Sequence, residues 1–374
     1  MKTPFTPEPL PLKGIEWADL IEPVSEATSA LARYDALLRG IPSPSLLLSP
    51  LMTEEAVISS RIEGTIATAM EVLRFDAEPQ PMPKEHKADE KILRRREAVK
   101  EVSNYRKAML LAVGELEKRP LCLNLIKNMH GVLLEGVRGR DKGRGLFRRE
   151  QNYIGKYGTP IEQAIYVPPE PLKVDECMSN LETYCHYEER NRLVQVSVIH
   201  AQFELIHPFS DGNGRIGRIL VPVFLYSTGV LKNPTYYISA YLEATRDEYY
   251  GRLLAVSESN DWMGWIKYFL RAMAIQAEDS CKKVDRIQSL YSAKKDQLLE
   301  LTRSRFAIRA LDCIFNYPVF NAGLFASESK IPRRSALRVL KELVRGGVIE
   351  KVREKSGRRS ALYVFSELLD IVSN

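Results

Sequence analysis

The chain of 374 residues is short of several things that would have named a class at once. Its five cysteines, Cys122, Cys177, Cys185, Cys281 and Cys313, are odd in number and contain no Cys-x-x-Cys pair. That argues against a disulfide framework or a structural zinc site and suits reduced thiols in a cytoplasmic protein. No apolar run reaches the ~18 residues of a membrane-spanning helix; the best stretch, 219–231, is interrupted by Pro222, Ser227 and Gly229. The first residues, Met-Lys-Thr-Pro with further prolines at 7, 9 and 11, hold no apolar core of a secretion signal. There is no G-x-x-x-x-G-K-[S/T] run, which leaves a P-loop NTPase unsupported. Repeats of solenoid period are absent too.

What is present is an ordinary globular composition: 45% apolar and 27% charged residues, with 21 Gly and 21 Pro. A chain of this length predicts two or three domains with real cores. The formal net charge is only +6, and its location is more telling than its size. Residues 330–359 hold eleven Lys/Arg against three Glu, so the rest of the chain is slightly acidic.

Apolar spacing predicts helices over 92–118, 174–190, 192–206 and 262–279, and a charged helix near 276–304. Prolines 79, 81 and 83 predict a loop. Two β-prone runs, 151–154 and 164–167, flank a turn-rich segment and predict a β-hairpin closed by Pro168-Pro169. The segment 136–145, GVRGRDKGRG, lacks the spacing of a glycine phosphate loop and reads as a basic surface loop.

The densest chemistry lies in His207-Pro208-Phe209-Ser210-Asp211-Gly212-Asn213-Gly214-Arg215-Ile216-Gly217-Arg218. Pro208 disfavours helical geometry at His207, so the helix before it ends with the imidazole at a loop mouth. The Gly-Asn-Gly turn feeds a new helix whose first N–H groups and dipole suit an anion. Arg215 and Arg218, three residues apart, can grip the same anion with forked donors. Asp211 is a hard oxygen ligand suited to Mg²⁺ beside phosphate, and His207 titrates near neutrality and can take a proton from a hydroxyl. His200, two turns earlier, reads as a packed core residue.

This stretch resembles the signature of the Fic family, HPFx[D/E]GNGRxxR, at every fixed position. The likeness extends through Phe147-Arg148, Tyr166-Val167-Pro168-Pro169, Tyr249-Tyr250 and the Asp261-Trp262…Trp265-Ile266 segment. The resemblance implies a mainly α, helical Fic fold with a short β-hairpin flap, transferring AMP from ATP to a Ser, Thr or Tyr hydroxyl of a protein with release of pyrophosphate. By position, His207 would be the base and Asp211 the Mg²⁺ ligand. Gly212, Asn213 and Gly214 would cradle phosphate, and Arg215 and Arg218 would hold its outer end. The flap residues Tyr153, Ile154, Ile165 and Tyr166 would align the target. Tyr249 or Tyr250 would line the adenine side or pack in the core. The chain itself is an expected target, and a homodimer stays open.

Upstream, Ser59-Ser60-Arg61-Ile62-Glu63-Gly64 places Ser59 and Glu63 on one helix face. It resembles the family's inhibitory helix, [S/T]xxxE[G/N], which implies that Glu63 pairs with Arg218 and blocks the γ-phosphate. Two alternatives stand beside AMP transfer: a DNA-binding regulator with a nucleotide-sensing core, and removal of AMP by the same fold. Residues 305–374 read as helix, turn, helix 335–343, then strands 348–352 and 361–365, which resembles a winged helix-turn-helix with DNA or a protein as partner. The expected domains are 1–90, carrying the inhibitory helix; 91–280, catalytic; 281–304, a linking helix; and 305–374, the winged helix.

Overall fold

The computed structural model describes residues 3–39, 49–78, 90–137, 143–155, 158, 160–356 and 360–373. The prolines at 79, 81 and 83 and much of the 136–145 loop lie outside the described residues. The chain divides into two compact units. One comprises Met1–Asp35, Ile58–Thr65 and Asn104–Glu278; the other comprises Ala36–Val57, Ile66–Ser103 and Asp279–Asn374.

The first unit is built on the helices Arg192–Ile206 and Asn213–Ser227, which pack on each other along their length. From Leu193 to Ile206 every residue except Glu204 is buried. A helix apolar or satisfied on all sides belongs at the centre of a core, and this one does. Asn191 starts it, its Oδ1 accepting from the N–H groups of Leu193 at 2.8 Å and Val194 at 3.1 Å. Around the pair lie the helices Leu123–Leu133, Pro171–Cys185 and Arg246–Ser259, and the first turns of Trp262–Thr302. The Trp265 indole N–H donates to the Ser197 carbonyl at 2.8 Å, fixing that last helix to the central one. The N-terminal stretch is held as well, because Asn180 bonds both the N–H and the carbonyl of Leu10, at 2.8 and 3.0 Å.

Two expectations change here. The segments 262–279 and 276–304 are one continuous helix, Trp262–Thr302. It holds no proline and its one glycine is near its start, so nothing in the sequence stops it. Among the described residues the predicted hairpin over 151–167 reduces to one antiparallel bridge, Ile154 with Tyr166. Pro160, Pro168 and Pro169 crowd the second run and leave few N–H groups to extend a ladder.

The second unit contains the helices Ala307–Asn316, Ala322–Glu328, Arg333–Arg345 and Ser366–Ser373 with three strands, β1 (Val319–Asn321), β2 (Glu350–Arg353) and β3 (Leu362–Val364). The sheet runs β1-β3-β2, all antiparallel, pairing Val319 with Val364 and Glu350 with Val364, with an irregularity between Lys351 and Arg353. The turn expected between 328 and 332 is present at 329–330, and a short helix precedes it: Asn321 caps Ala322–Glu328 by accepting from Gly323 and Leu324 N–H groups. β1 and the closing helix had no sequence signal beyond three and eight residues.

A distant segment completes this unit. The helix Ala69–Ala77 opens with a capping box between Thr68 and Glu71. Its Leu73 and Ala77 pack with Val319, Leu362 and Val364. Asn321 Nδ2 donates to the Ala77 carbonyl at 2.9 Å, and Arg353 Nη2 reaches both Glu78 carboxylate oxygens, at 2.5 and 2.6 Å. No helix among the described residues is long and apolar enough to cross a membrane.

The helix Arg333–Arg345 separates burial cleanly, with Leu343 fully enclosed and Leu337 half exposed. Leu343→Ala is expected to destabilise the unit by about 2–5 kcal/mol, whereas Leu337→Ala stays within about 0.5 kcal/mol. Denaturant unfolding of the two variants checks this, and equal losses would refute the packing described.

Candidate active site

His207 ends the helix Arg192–Ile206 in a left-handed conformation, φ 48° and ψ 57°. For a non-glycine residue that costs about 1–3 kcal/mol, so surrounding contacts must impose it. Arg148, only 4% exposed, provides them. Its Nε donates to the His207 carbonyl at 3.0 Å, its Nη1 to Glu150, and its Nη2 to the carbonyls of Pro169 and Ile206. The backbone N–H of Arg148 donates in turn to the Pro208 carbonyl at 2.8 Å. One guanidinium thereby fixes the loop from which the imidazole projects. Burial lowers the His207 pKa to about 4, against the raising effects of Glu63 and the Glu204 carbonyl. The ring is therefore neutral at physiological pH.

The turn after His207 is held from beneath. Phe209 is fully buried and stacks on His130, ring centroids 3.8 Å apart. The Gly145 N–H donates to His130 Nδ1 at 2.9 Å, so the proton sits on Nε2 and is donated to the Asp211 carbonyl at 3.0 Å. Asn213 closes the loop from the other side, its amide bonded both ways to the Phe209 backbone at 2.8 Å. The Asn213 side chain is thus occupied with the loop, and what it presents outward is its backbone N–H at the start of the helix Asn213–Ser227. Gly212, at φ 78°, is the cap of that helix.

Arg215 and Arg218 lie on the first turns of this helix and both are buried. Arg215 Nη2 meets Asp211 Oδ1 at 3.3 Å. Arg218, 1% exposed, donates from Nε to Ser59 Oγ and from Nη2 to the Ser59 carbonyl and Glu63 Oε1, each at 2.8 Å. A Cβ on Gly214 would run into Glu63 Oε1 and lie 2.9 Å from Arg218 Nη1, so the Glu63 carboxylate rests directly on the glycine turn. Burial opposes ionisation of Glu63, but the charge and hydrogen bond of Arg218, with Arg215 and His207, outweigh it and lower its pKa. The end of the Glu63 segment is tied in by Arg246, whose Nη2 donates to the Ile62 carbonyl at 2.6 Å.

The residues predicted from sequence therefore fall into two groups. His207, Asp211, Gly212, Asn213, Gly214, Arg215 and Arg218 come together, and Ser59 and Glu63 join them. The two tyrosines separate. Tyr249 is buried, its hydroxyl donating to His200 Nε2 at 3.0 Å while His200 Nδ1 donates to the Gly217 carbonyl at 3.0 Å. Tyr250 is 41% exposed, its ring 5.0 Å from that of Tyr249 and beneath the Arg246 guanidinium. In the flap, Tyr166 is an anchor, its hydroxyl donating to the Leu205 carbonyl at 2.7 Å, whereas Tyr153, Ile154 and Ile165 are exposed. Sequence reasoning did not find Arg148 or His130 as supports, nor Glu204. The last stands one turn before His207, with its Oε1 enclosed and unbonded where a Cβ on Gly217 would collide with it. Its single signal was being the one acidic residue on that helix.

Comparison with known proteins follows this geometry. Residues 21–114 match the Fic/DOC family N-terminal model and residues 120–225 the Fic/DOC family model. A "Probable protein adenylyltransferase" of Aquifex aeolicus is 41% identical over 86 residues, 22% of this chain and 27% of that one. The "Protein adenylyltransferase Fic" of Drosophila grimshawi is 32% identical over 117 residues, 30% of this chain and 22% of that one. The matches thus span well under a third of these relatives. Among solved structures, a Fic family protein from Desulfovibrio desulfuricans aligns over 98% of both chains with a TM-score of 0.55 at 18% identity. A Fic domain containing signaling protein from Bacteroides thetaiotaomicron covers 70% of this chain and 97% of its own, at a TM-score of 0.54 and 16% identity. The helical Fic fold is therefore established for the chain.

Glu204 and the histidines make opposite contributions to stability against pH. Burial, with Glu63 adding and Arg218 opposing, raises the Glu204 pKa from 4.5 to about 8. Its protonated form is favoured by folding, so stability is lost as pH rises toward 8. Burial lowers His130 and His207 to about 4 and His200 to about 3, so their contribution is lost as pH falls from 6.5 toward those values. Between pH 6.5 and 8 the folded histidines stay neutral while Glu204 loses its proton. The slope of stability against pH in the parent should therefore lie below that of Glu204→Gln by up to about 1.4 kcal/mol per pH unit, as read from denaturant midpoints; parallel slopes would contradict the assignment.

Proposed function

We propose, for a chain that carries both the N-terminal segment and the core domain of the Fic/DOC family, that it is a protein adenylyltransferase held in check by its own Glu63. The observation that carries the reading is the triple engagement of the Arg218 guanidinium by Ser59 and Glu63, with the carboxylate lying on Gly214. That is where the terminal phosphate of a nucleotide anchored on the Gly212–Gly214 turn would meet Arg218. Occupied by a carboxylate, the site can take ATP only with its α-phosphate turned out of line for attack.

With Glu63 withdrawn, the roles follow from placement. Neutral His207 accepts the proton of a Ser, Thr or Tyr hydroxyl, whose oxygen attacks the α-phosphorus. The bond to the bridging oxygen breaks, and pyrophosphate departs against Arg215 and Arg218. Backbone N–H groups of Asn213 and Gly214 stabilise the charge that gathers on the phosphate oxygens. Among the described residues no three His, Cys, Asp or Glu side chains cluster as a metal cage. Asp211 alone, a carboxylate beside the anion turn, fits Mg²⁺ of the kind shared with substrate phosphates. Such an ion would supply charge neutralisation to the substrate phosphates. The exposed edge of Ile154 and Ile165 would receive the target segment as an added strand, and Tyr250 the adenine.

Hydrogen bonds to charged groups contribute about 1.5–3 kcal/mol each, so releasing Arg218 from Glu63 should change its availability at least about tenfold. Glu63→Gly is expected to raise self-labelling and target labelling by ATP carrying a radioactive α-phosphate by about that factor. His207→Ala should lower it by about 10²–10⁴. Unchanged labelling in Glu63→Gly would sink the brake, and labelling from GTP, CTP or UTP in place of ATP would redefine the donor.

A further inference from the structure

We infer that the second unit is a module for double-stranded DNA, with the helix Arg333–Arg345 entering the major groove. This stands independently of AMP transfer. At about 100° per residue, Arg333, Leu337, Lys341, Arg334 and Arg338 fall within an arc of about 140° on this helix. All five are exposed, while Ala336, Val339, Leu340 and Leu343 occupy the opposite face and are buried. The helix thus has one face committed to its own core and one that is cationic with an apolar centre.

Four cations of that face, Arg333, Arg334, Arg338 and Lys341, make no ion pair among the described residues. Arg345, in the last turn and within the same arc, pairs with Glu342 at 2.6 Å, and the strand residues Lys351 and Arg353 pair with Glu354 and Glu78 at 2.8 and 2.5 Å. Four unpaired cations thus share one face of one helix. Helix stability does not explain it, because arginines in the first turn oppose the positive end of the dipole.

The shape selects the occupant. A helix is about 10–12 Å across with its side chains, and the B-form major groove is about 12 Å wide. Arg333 lies on one side of Leu337, with Lys341, Arg334 and Arg338 on the other, so both phosphate-lined walls can be met at once. Leu337, 50% exposed, is centred where a thymine methyl offers an apolar contact. The element order helix, short helix, exposed helix, then the antiparallel pair β2 and β3 is that of a winged helix-turn-helix, in which such a helix is the one presented to the groove.

Fluorescence anisotropy of the full chain with a short labelled DNA duplex of mixed sequence tests this. Four phosphate contacts predict a slope of log K against log salt of about −3 to −4. Arg338→Glu with Lys341→Glu should reduce the slope by about two units and weaken binding at least about tenfold at fixed low salt. Both positions are exposed, so helix content by circular dichroism should match the parent, confirming that folding is intact. Absence of salt-dependent binding, or a double variant that binds like the parent, overturns the inference. So does equal competition by duplex RNA, whose deep, narrow major groove excludes a helix.

Discussion

A guanidinium with 1% of its surface exposed must have partners, and Arg218 is such a group. It projects from a helix buried on every side as far as Leu225, so it has no route to solvent. An unpaired charge in that position would lose its hydration with nothing in return, a penalty of several kcal/mol. The chain meets the demand with a hydroxyl, a carbonyl and a carboxylate from one short segment, Ser59 to Glu63. The constraint also explains why the arrangement suits a switch. Any anion that reaches Arg218 must displace Glu63, and Glu63 cannot leave without another anion arriving or a charge being stranded. Gly214 belongs to the same constraint, since any side chain there would occupy the carboxylate's place.

The loop that carries His207 follows a different logic. Arg148 is also buried, yet its donors go to backbone carbonyls of Glu150, Pro169, Ile206 and His207 rather than to an acid. Neutral acceptors hold geometry without cancelling charge. His130 adds a second fixed point, since its tautomer is dictated by the Gly145 N–H on one nitrogen and used on the other to hold the Asp211 carbonyl. The strained backbone at His207 is thus clamped from both sides of the turn, with little freedom to relax.

These supports also mark where the sequence stops being legible. His207 to Arg218 is a local arrangement, governed by helix ends, a proline and residues three or four apart, so its geometry could be read from spacing alone. The Ser59–Glu63 face was readable for the same reason, and its partner Arg218 through resemblance. Arg148, His130 and Glu204 act across separations that no local period encodes, and their residue types are common on helices and loops. In the second unit, helices 307–316 and 333–345 announced themselves by apolar spacing. β1, only three residues long, owes its existence to pairing with β3, and to packing beneath Leu73 and Ala77 from a segment more than two hundred residues away. The flap fails in the opposite sense: its residues are β-prone, but prolines deny it a ladder and among the described residues a single bridge remains.

Charge accounting around the turn gives the site its direction. Arg215 and Arg218 face Asp211 and Glu63, while Glu204 is held protonated below about pH 8 and His207 is neutral above about pH 4. Two cations then balance two anions, and the start of the helix Asn213–Ser227 adds its N–H groups and dipole as attraction for an anion even with Glu63 in place. On the proposed reading, a polyphosphate can therefore still be drawn in while the brake is set, and inhibition acts through the position of the α-phosphate rather than by repulsion. The neutrality of Glu204 is what preserves that balance. A second ionised carboxylate beside Arg218 would tip the site negative and compete with Glu63 for the same guanidinium, weakening nucleotide attraction and the brake together. The enclosure of the Glu204 Oε1 against Gly217, two residues from the helix's first arginine, is the structural reason this does not happen at neutral pH.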